Sequence, residues 1–342
     1  MPVLRRDARK RKGWHMRLSF TKLHGLGNDF VVVDDRARSI ELTPAQVQHI
    51  CDRHFGVGAD GVILVRPSER SSCAGYMHYI NSDGTLAQMC GNGVRCFAKF
   101  LVDNGVVDPA AGSLVADTLA GPRPITFTVN ERGELGTATV DMGAPILDPA
   151  LVPVDASANA VSAQDVPYVR ELPLESPWGT FRFTCVSMGN PHAVCFLDDL
   201  EALDDALFPT GTRTLAALDL DRIGSFYECH DAFPEKTNVE FAVVGTDGIE
   251  MRVYERGCGE TLACGTGACA TNVAAALTGR ASCENDVRLR GGTLHIVWAA
   301  DNHVFMTGAA RESFRGEIEL RDEPAAHDAA LRSGASSATC PL

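Results

Sequence analysis

Hydrophobic and polar positions alternate along most of the chain in short runs broken by Gly, Asn, Asp and Pro, the pattern of β-strands joined by turns. Strands are expected over 30–34, after a Gly-Leu-Gly-Asn turn, over 61–65, and over 77–80, which closes on Asn81-Ser82-Asp83-Gly84. Thr43-Pro44 opens a helical pattern over 44–54. A second helix runs from 92 to about 102; it is mostly apolar, hence buried, and ends at Asn104-Gly105. Segments 126–129 and 138–142 form a hairpin pattern after a stretch, 108–124, rich in small residues, Pro and Gly. Strands recur at 181–188, 192–197, 238–244 and 249–255, and another buried helix follows Cys264 and stops at Gly279. Between them, 201–217 reads as an inserted helix or loop, and 143–166, punctuated by Pro and Gly, as the region between two domains.

The two halves repeat one another. GLGNDFVVVDD in the first matches SMGNPHAVCFLDD in the second, so that Asn28 and Asn190 precede equivalent strands. Each half then has a strand ending nine residues before a cysteine, at Asn81 before Cys90 and at Glu255 before Cys264. Each cysteine opens a C-G-x-G motif ahead of a buried helix. Three matched features in one order indicate a duplicated domain.

Composition narrows the possibilities. The formal net charge of −13 excludes general nucleic-acid binding, since no surplus of Lys and Arg is present to neutralise phosphates. No run of 18 apolar residues exists, so no membrane span is expected. Residues 1–16, with Arg5, Arg6, Arg9, Lys10, Arg11 and Lys12 against Asp7, read as a disordered basic extension or an over-extended start, with Met16 a plausible first residue. The Ala/Ser-rich tail 322–342 is likewise expected to be disordered. None of the twelve cysteines is spaced C-x2-C, so no structural zinc is expected, and reduced thiols in a cytoplasmic setting are the default. Most of them, including Cys96, Cys185, Cys195 and Cys269, read as small buried hydrophobes.

Cys90 and Cys264 differ by position. A cysteine just ahead of a helix faces unpaired N–H groups and the positive end of the helix dipole, both of which favour the thiolate, while burial opposes it. The neighbouring glycines let a ligand approach the backbone, and the free amides suit a carboxylate. Two such elements facing each other would place a thiol on either side of a bound α-carbon. One could remove the α-proton while the other delivers one, inverting the centre.

The motifs KLHGLGNDFVVVDDR, GADGVIL, NSDGTLAQMCGNGVRC, GNPHAV, TNVEF and YERGCGETLACGTGACA, across residues 17–321, together resemble the diaminopimelate epimerase family. The resemblance implies an α/β (α+β) fold of two pseudo-symmetric domains, each a curled, mostly antiparallel sheet around a central helix, with the active site between them. The expected division is 17–142, with 309–321 as a returning strand, and 143–308. The implied activity is the interconversion of LL- and meso-2,6-diaminopimelate, in lysine and peptidoglycan precursor synthesis, by a cytoplasmic homodimer that needs neither pyridoxal phosphate nor metal. Cys90 and Cys264 match the catalytic cysteines. Gly91, Asn92, Gly265 and Thr266 match the residues that hold the reacting carboxylate, and Asn28 belongs to the same site. Asn81, Asn190, Asn238, Glu255 and Arg256 match the set recognising the distal amino-acid end. His192 and Glu255 match residues that tune the thiols. Asparagine supplies donor and acceptor without net charge, and Arg256 can take a carboxylate with two parallel bonds, as a substrate with two ammonium and two carboxylate groups requires.

Two other readings compete. A racemase of the same fold acting on proline, hydroxyproline or histidine is the nearer; proline-type members carry histidine where Asn92 stands. A thiol protein that binds metal or senses redox state is the other. Gly61 departs from family members that carry a polar side chain there, and the basic start, the 201–217 segment and the tail lie outside the family pattern.

Overall fold

The structure is a computed structural model and describes residues 15–87, 89–155 and 168–321. Most of the basic start and the tail, both expected to be disordered, and part of the 143–166 segment, expected to lie between two domains, fall outside those residues. Strand pairing already reaches His15 and Met16, inside the stretch read as an extension.

The first half runs β1 (His15–Gly25), β2 (Asn28–Asp34), α1 (Pro44–Cys51), β3 (Gly61–Arg66), β4 (Gly75–Asn81), α2 (Gly91–Asp103), β5 (Ser113–Asp117), β6 (Arg123–Val129) and β7 (Leu135–Asp141). Then follow β8 (Leu172–Ser176), β9 (Gly179–Ser187), β10 (Pro191–Phe196), α3 (Leu220–Glu228), β11 (Asn238–Gly245), β12 (Gly248–Glu255), the two-residue β13 (Gly259–Glu260) and α4 (Gly265–Leu277). The chain ends with β14 (Glu284–Leu289), β15 (Gly292–Trp298), β16 (Val304–Ala309) and β17 (Arg311–Arg321).

Pairing resolves these strands into two arrays of the same design. One has the order β17-β1-β2-β3-β4-β5-β6-β7. The other has β8-β9-β10-β11-β12-β14-β15-β16. In both, the third and fourth strands and the fifth and sixth are parallel, and the remaining pairs are antiparallel. The two parallel β4–β5 and β12–β14 pairs require crossovers, and α2 and α4 supply them. Both arrays join in a single 17-stranded sheet through the antiparallel β7–β16 pair, with Ile146–Ser187 as an isolated bridge nearby. The chain is therefore a mixed α/β protein dominated by curled sheet, as expected.

Each central helix is buried almost all round. Every residue of α2 from Gly91 to Val102 is buried, as are Gly265 and Gly267–Ala275 of α4. This is why both read as nearly continuous apolar runs. The inner faces of the two arrays and both helices share one hydrophobic core. No helix among the described residues is long and apolar enough to cross a membrane.

Some elements depart from expectation for identifiable reasons. Helix α1 stops at Cys51 rather than 54 because the Asp52 carboxylate accepts hydrogen bonds from the His54 and Phe55 amides, a local turn that competes with the next helical bonds. β5 lies within the small-residue stretch 108–124. The 201–217 segment holds two single 3-10 turns, and the helix is α3 beyond it, capped by Asp219. Gly224, inside α3, makes room for Tyr254 of β12: a Cβ there would lie 2.6 Å from the Tyr254 Cβ and Cγ. Gly224→Ala should therefore destabilise the protein by about 1–3 kcal/mol in urea unfolding, although alanine is the better helix former. A gain in stability would contradict this packing.

Candidate active site

Cys90 and Cys264 are the N-caps of α2 and α4. Both have extended backbone, and each sulfur accepts the amide of the third helical residue, Gly93 N–H at 3.5 Å and Gly267 N–H at 3.4 Å. Ser, Thr, Asp and Asn are the favoured caps, and sulfur is a weak acceptor. Two cysteines in this role argue for chemistry over stability.

The two helix starts touch. Asn92, the second residue of α2, donates through Nδ2 to Ala263 O, just before Cys264, and to Asn28 Oδ1, both at 3.2 Å. Its Oδ1 accepts from Arg95 Nη2 at 2.7 Å. Gly265 packs against the same point: a Cβ there would lie 3.6 Å from Asn92 Oδ1 and 3.0 Å from Met306 Sδ. One buried asparagine thus ties the Cys90 cap, the Cys264 cap and the start of β2. Asn28 is held in turn, its Nδ2 donating to Asp60 at 2.7 Å while its Oδ1 accepts the Cys90 thiol at 3.6 Å. Arg53 pairs with both Asp60 and Asp29 behind it.

Around Cys264, Thr266 Oγ1 lies 3.4 Å from the sulfur. Glu255, at the end of β12, accepts the Thr261 hydroxyl. His192 is fully buried, its Nδ1 2.6 Å from Glu240 Oε1 and its Nε2 3.2 Å from Asn190 Oδ1. Asn238 spends its amide on the backbone, donating to Pro191 O at 2.7 Å and accepting Arg256 N–H at 2.9 Å. Arg256 itself is exposed and donates to Glu235 O. Asn81 donates to Thr85 Oγ1. Gly91 offers its carbonyl to Arg95 at 3.3 Å.

Burial decides the state of the thiols. Desolvation pushes Cys90 up, against the Gly93 and Asn92 amides. It pushes Cys264 well up, with Glu255 and Glu240 adding to the effect and Thr266 and Gly267 opposing it. The helix starts alone suggested that dipole and amides could bring such thiols down; in the ligand-free protein their pull is outweighed. Burial also lifts the Glu255 carboxyl, against hydrogen bonds from Thr261 and Cys264 and the nearby His192. Cys96 and Cys269 are buried inside the helices and pushed up to about 12 by desolvation, fitting a packing role.

The repeat is geometric but not chemical. Strand register pairs Phe30 with Gly61 and Ile63 with Tyr79 in one half, and His192 with Asn238 and Glu240 with Val253 in the other. Cys90 is accordingly backed by apolar side chains: a Cβ on Gly93 would touch Ile63 and Phe30 at 3.5 Å. The same atom on Gly267 would lie 2.6 Å from Glu240 Oε1. Glu240, Asp60 and Arg95 lie within TNVEF, GADGVIL and NSDGTLAQMCGNGVRC but are not among the expected site residues. A charged residue within an apolar helix, as Arg95 is, was the available signal.

The diaminopimelate epimerase family model matches residues 20–147 and 184–312. The chain belongs to the diaminopimelate epimerase family. Diaminopimelate epimerases from Leptospira biflexa and Synechocystis are 43% and 46% identical over 306 and 309 residues, in each case 89% of this chain and 100% of the relative. One from Methanococcus maripaludis is 41% identical over a similar span. Among solved structures, a hydroxyproline epimerase from Agrobacterium vitis aligns with a TM-score of 0.62 at 15% identity, over 92% of this chain and 94% of the other. A Bacillus anthracis phenazine biosynthesis protein aligns at 0.56 and 18%, over 89% and 99%. These two share the fold. As a member of the diaminopimelate epimerase family, the chain is an isomerase.

Because burial lifts the thiol, alkylation of Cys90 by iodoacetamide in the ligand-free enzyme should keep accelerating above about pH 9.5, roughly one unit past the free-thiol pKa, where a free thiol levels off. Peptide mapping across pH checks this. A plateau already reached by about pH 7 would contradict it.

Proposed function

We propose that this protein interconverts LL- and meso-diaminopimelate with no cofactor, Cys90 and Cys264 acting as thiolate and thiol on opposite faces of the α-carbon. The observation that carries this is the junction of the two cysteine-capped helix starts through Asn92 and Ala263. One bound α-carbon there would be within reach of both caps. The identity to relatives named for this reaction supports the choice of substrate over a proline or histidine.

In this reading the substrate carboxylate sits on the free amides at Gly91, Asn92, Gly265 and Thr266, where both helix dipoles favour the charge that develops as the α-proton leaves. Desolvation that lifts the resting thiols also makes a thiolate, once formed, a strong base. Glu255, hydrogen-bonded to Cys264, tunes that thiol, and His192 acts on it through Glu255 and Glu240. Asn28 fixes Cys90 through the thiol hydrogen bond. Asn81, Asn190, Asn238, Glu255 and Arg256 receive the distal end, Asn238 by holding the Arg256 loop. The two arrays correspond to halves 17–142 with 309–321, and 143–308. The enzyme is read as a cytoplasmic homodimer serving lysine and peptidoglycan precursor synthesis, as the family resemblance implies.

Cys90→Ser and Cys264→Ser should each lower kcat on LL-diaminopimelate by roughly 10²–10⁴-fold. Both should keep the thermal stability of the parent, because serine is at least as good a cap. Full epimerisation by either variant would refute the pair. Wild-type activity should also survive dialysis against EDTA, and dependence on added metal or pyridoxal phosphate would count against the mechanism.

A further inference from the structure

Arg95 is the largest fully buried side chain in the described protein, with no exposed surface. Its contacts are neutral: Asn92 Oδ1 at 2.7 Å, Gly91 O at 3.3 Å and Met306 Sδ at 3.5 Å. It forms none of the described ion pairs, and its buried Nε has no hydrogen-bond partner among the described residues. A guanidinium keeps its proton in proteins, so a full positive charge lies inside the core one turn from Cys90. An unpaired buried charge costs stability and is found where something else requires it.

What it faces suggests the requirement. The thiols of Cys96, Cys90 and Cys269 lie within electrostatic reach of Arg95. Those facing Cys90 are Glu255 from the end of β12, Tyr79 from β4, and Cys96 and Arg95 from α2 itself. The duplication removes this charge from the other half. Arg95 stands five residues after Cys90, and the residue five after Cys264 is Cys269. Cys264 instead faces two carboxylates, Glu255 and Glu240, the latter paired with His192.

We infer that Arg95 is a positioning residue that makes the two pseudo-symmetric cysteines unequal, its buried charge favouring the thiolate at Cys90 while Cys264 retains its proton. Its hydrogen bond to Asn92 serves the same end by fixing the amide that joins both caps. This rests on the proposed two-thiol reaction for its purpose, and for its effect on the placement of the buried guanidinium against Gly91 and Asn92, the two residues that follow Cys90.

The test is the pH midpoint of iodoacetamide alkylation at each cysteine, resolved by peptide mass mapping of the full-length protein without substrate. In Arg95→Met the Cys90 midpoint should rise by about one unit, a tenfold lower rate below it, with the Cys264 midpoint unmoved. Arg95→Lys should keep the charge and leave Cys90 within about twofold of the parent rate. Melting should show Arg95→Met no less stable than Arg95→Lys, since it removes an unpaired charge. An unmoved Cys90 midpoint in folded Arg95→Met, or equal movement of both cysteines, overturns the inference. Should Arg95→Met not fold, Arg95→Gln carries the same expectation for Cys90. The readout needs no diaminopimelate: a protein inactive on that substrate but showing the Cys90 shift would sink the proposed function and leave this inference standing.

Discussion

The structure depends on the contact between two helix starts. Asn92 Nδ2 reaches Ala263 O across the junction, and its other bonds run to Asn28 and Arg95. Helix N-termini normally point free amides at water or at a cap. Here two are brought together inside one protein, each capped by sulfur and each with its dipole directed toward the junction. That arrangement is unfavourable without an anion between the ends. In the proposed reaction the substrate carboxylate is the group that would supply it.

The curled sheet exists to hold this junction. Each helix must cross over to connect parallel strands, β4 to β5 and β12 to β14, and each array surrounds its own helix. The β7–β16 pair then binds the arrays edge to edge. A helix enclosed on all sides has no polar face, which explains the apolar character of both. The charged exceptions in α2 are Lys99, which pairs with Asp103, and Arg95, which has no ion-pair partner among the described residues and whose position near Cys90 is the basis of the role inferred for it.

Duplication brings two like sites face to face, but like sites would titrate alike. The side chains beneath the caps break the tie. Phe30 and Ile63 lie under Cys90, whereas His192 and Glu240 hold the corresponding places near Cys264. A pair in which one thiol gives a proton and the other takes one needs this inequality before substrate arrives.

Much of this was legible in the sequence because the repeat carries it: C-G-x-G before a buried helix, twice, and asparagines at matched turns. Asn28 and Asn190 stand at those matched turns, Asn28 against the Cys90 thiol and Asn190 against His192. Strands β14 to β16 and helix α3 are not among the expected elements, although Gly291-Gly292 marks the β14–β15 turn, and β17 is reached only as the returning strand 309–321 that the family resemblance implies. The state of the thiols was also illegible. Dipole and desolvation oppose each other at a capped cysteine, and only enclosure by both arrays decides between them. Arg95 was visible as a residue, but that it has no anionic partner among the described residues is a property of three dimensions. The most direct measurement of the two-thiol account is the early fate of the α-proton in deuterated water. Starting from LL-diaminopimelate, the account predicts solvent deuterium in the meso product and hardly any in recovered substrate, because different thiols take and give the proton. Deuterium appearing equally in both, or substrate hydrogen retained in the product, would mean that a single base serves both faces.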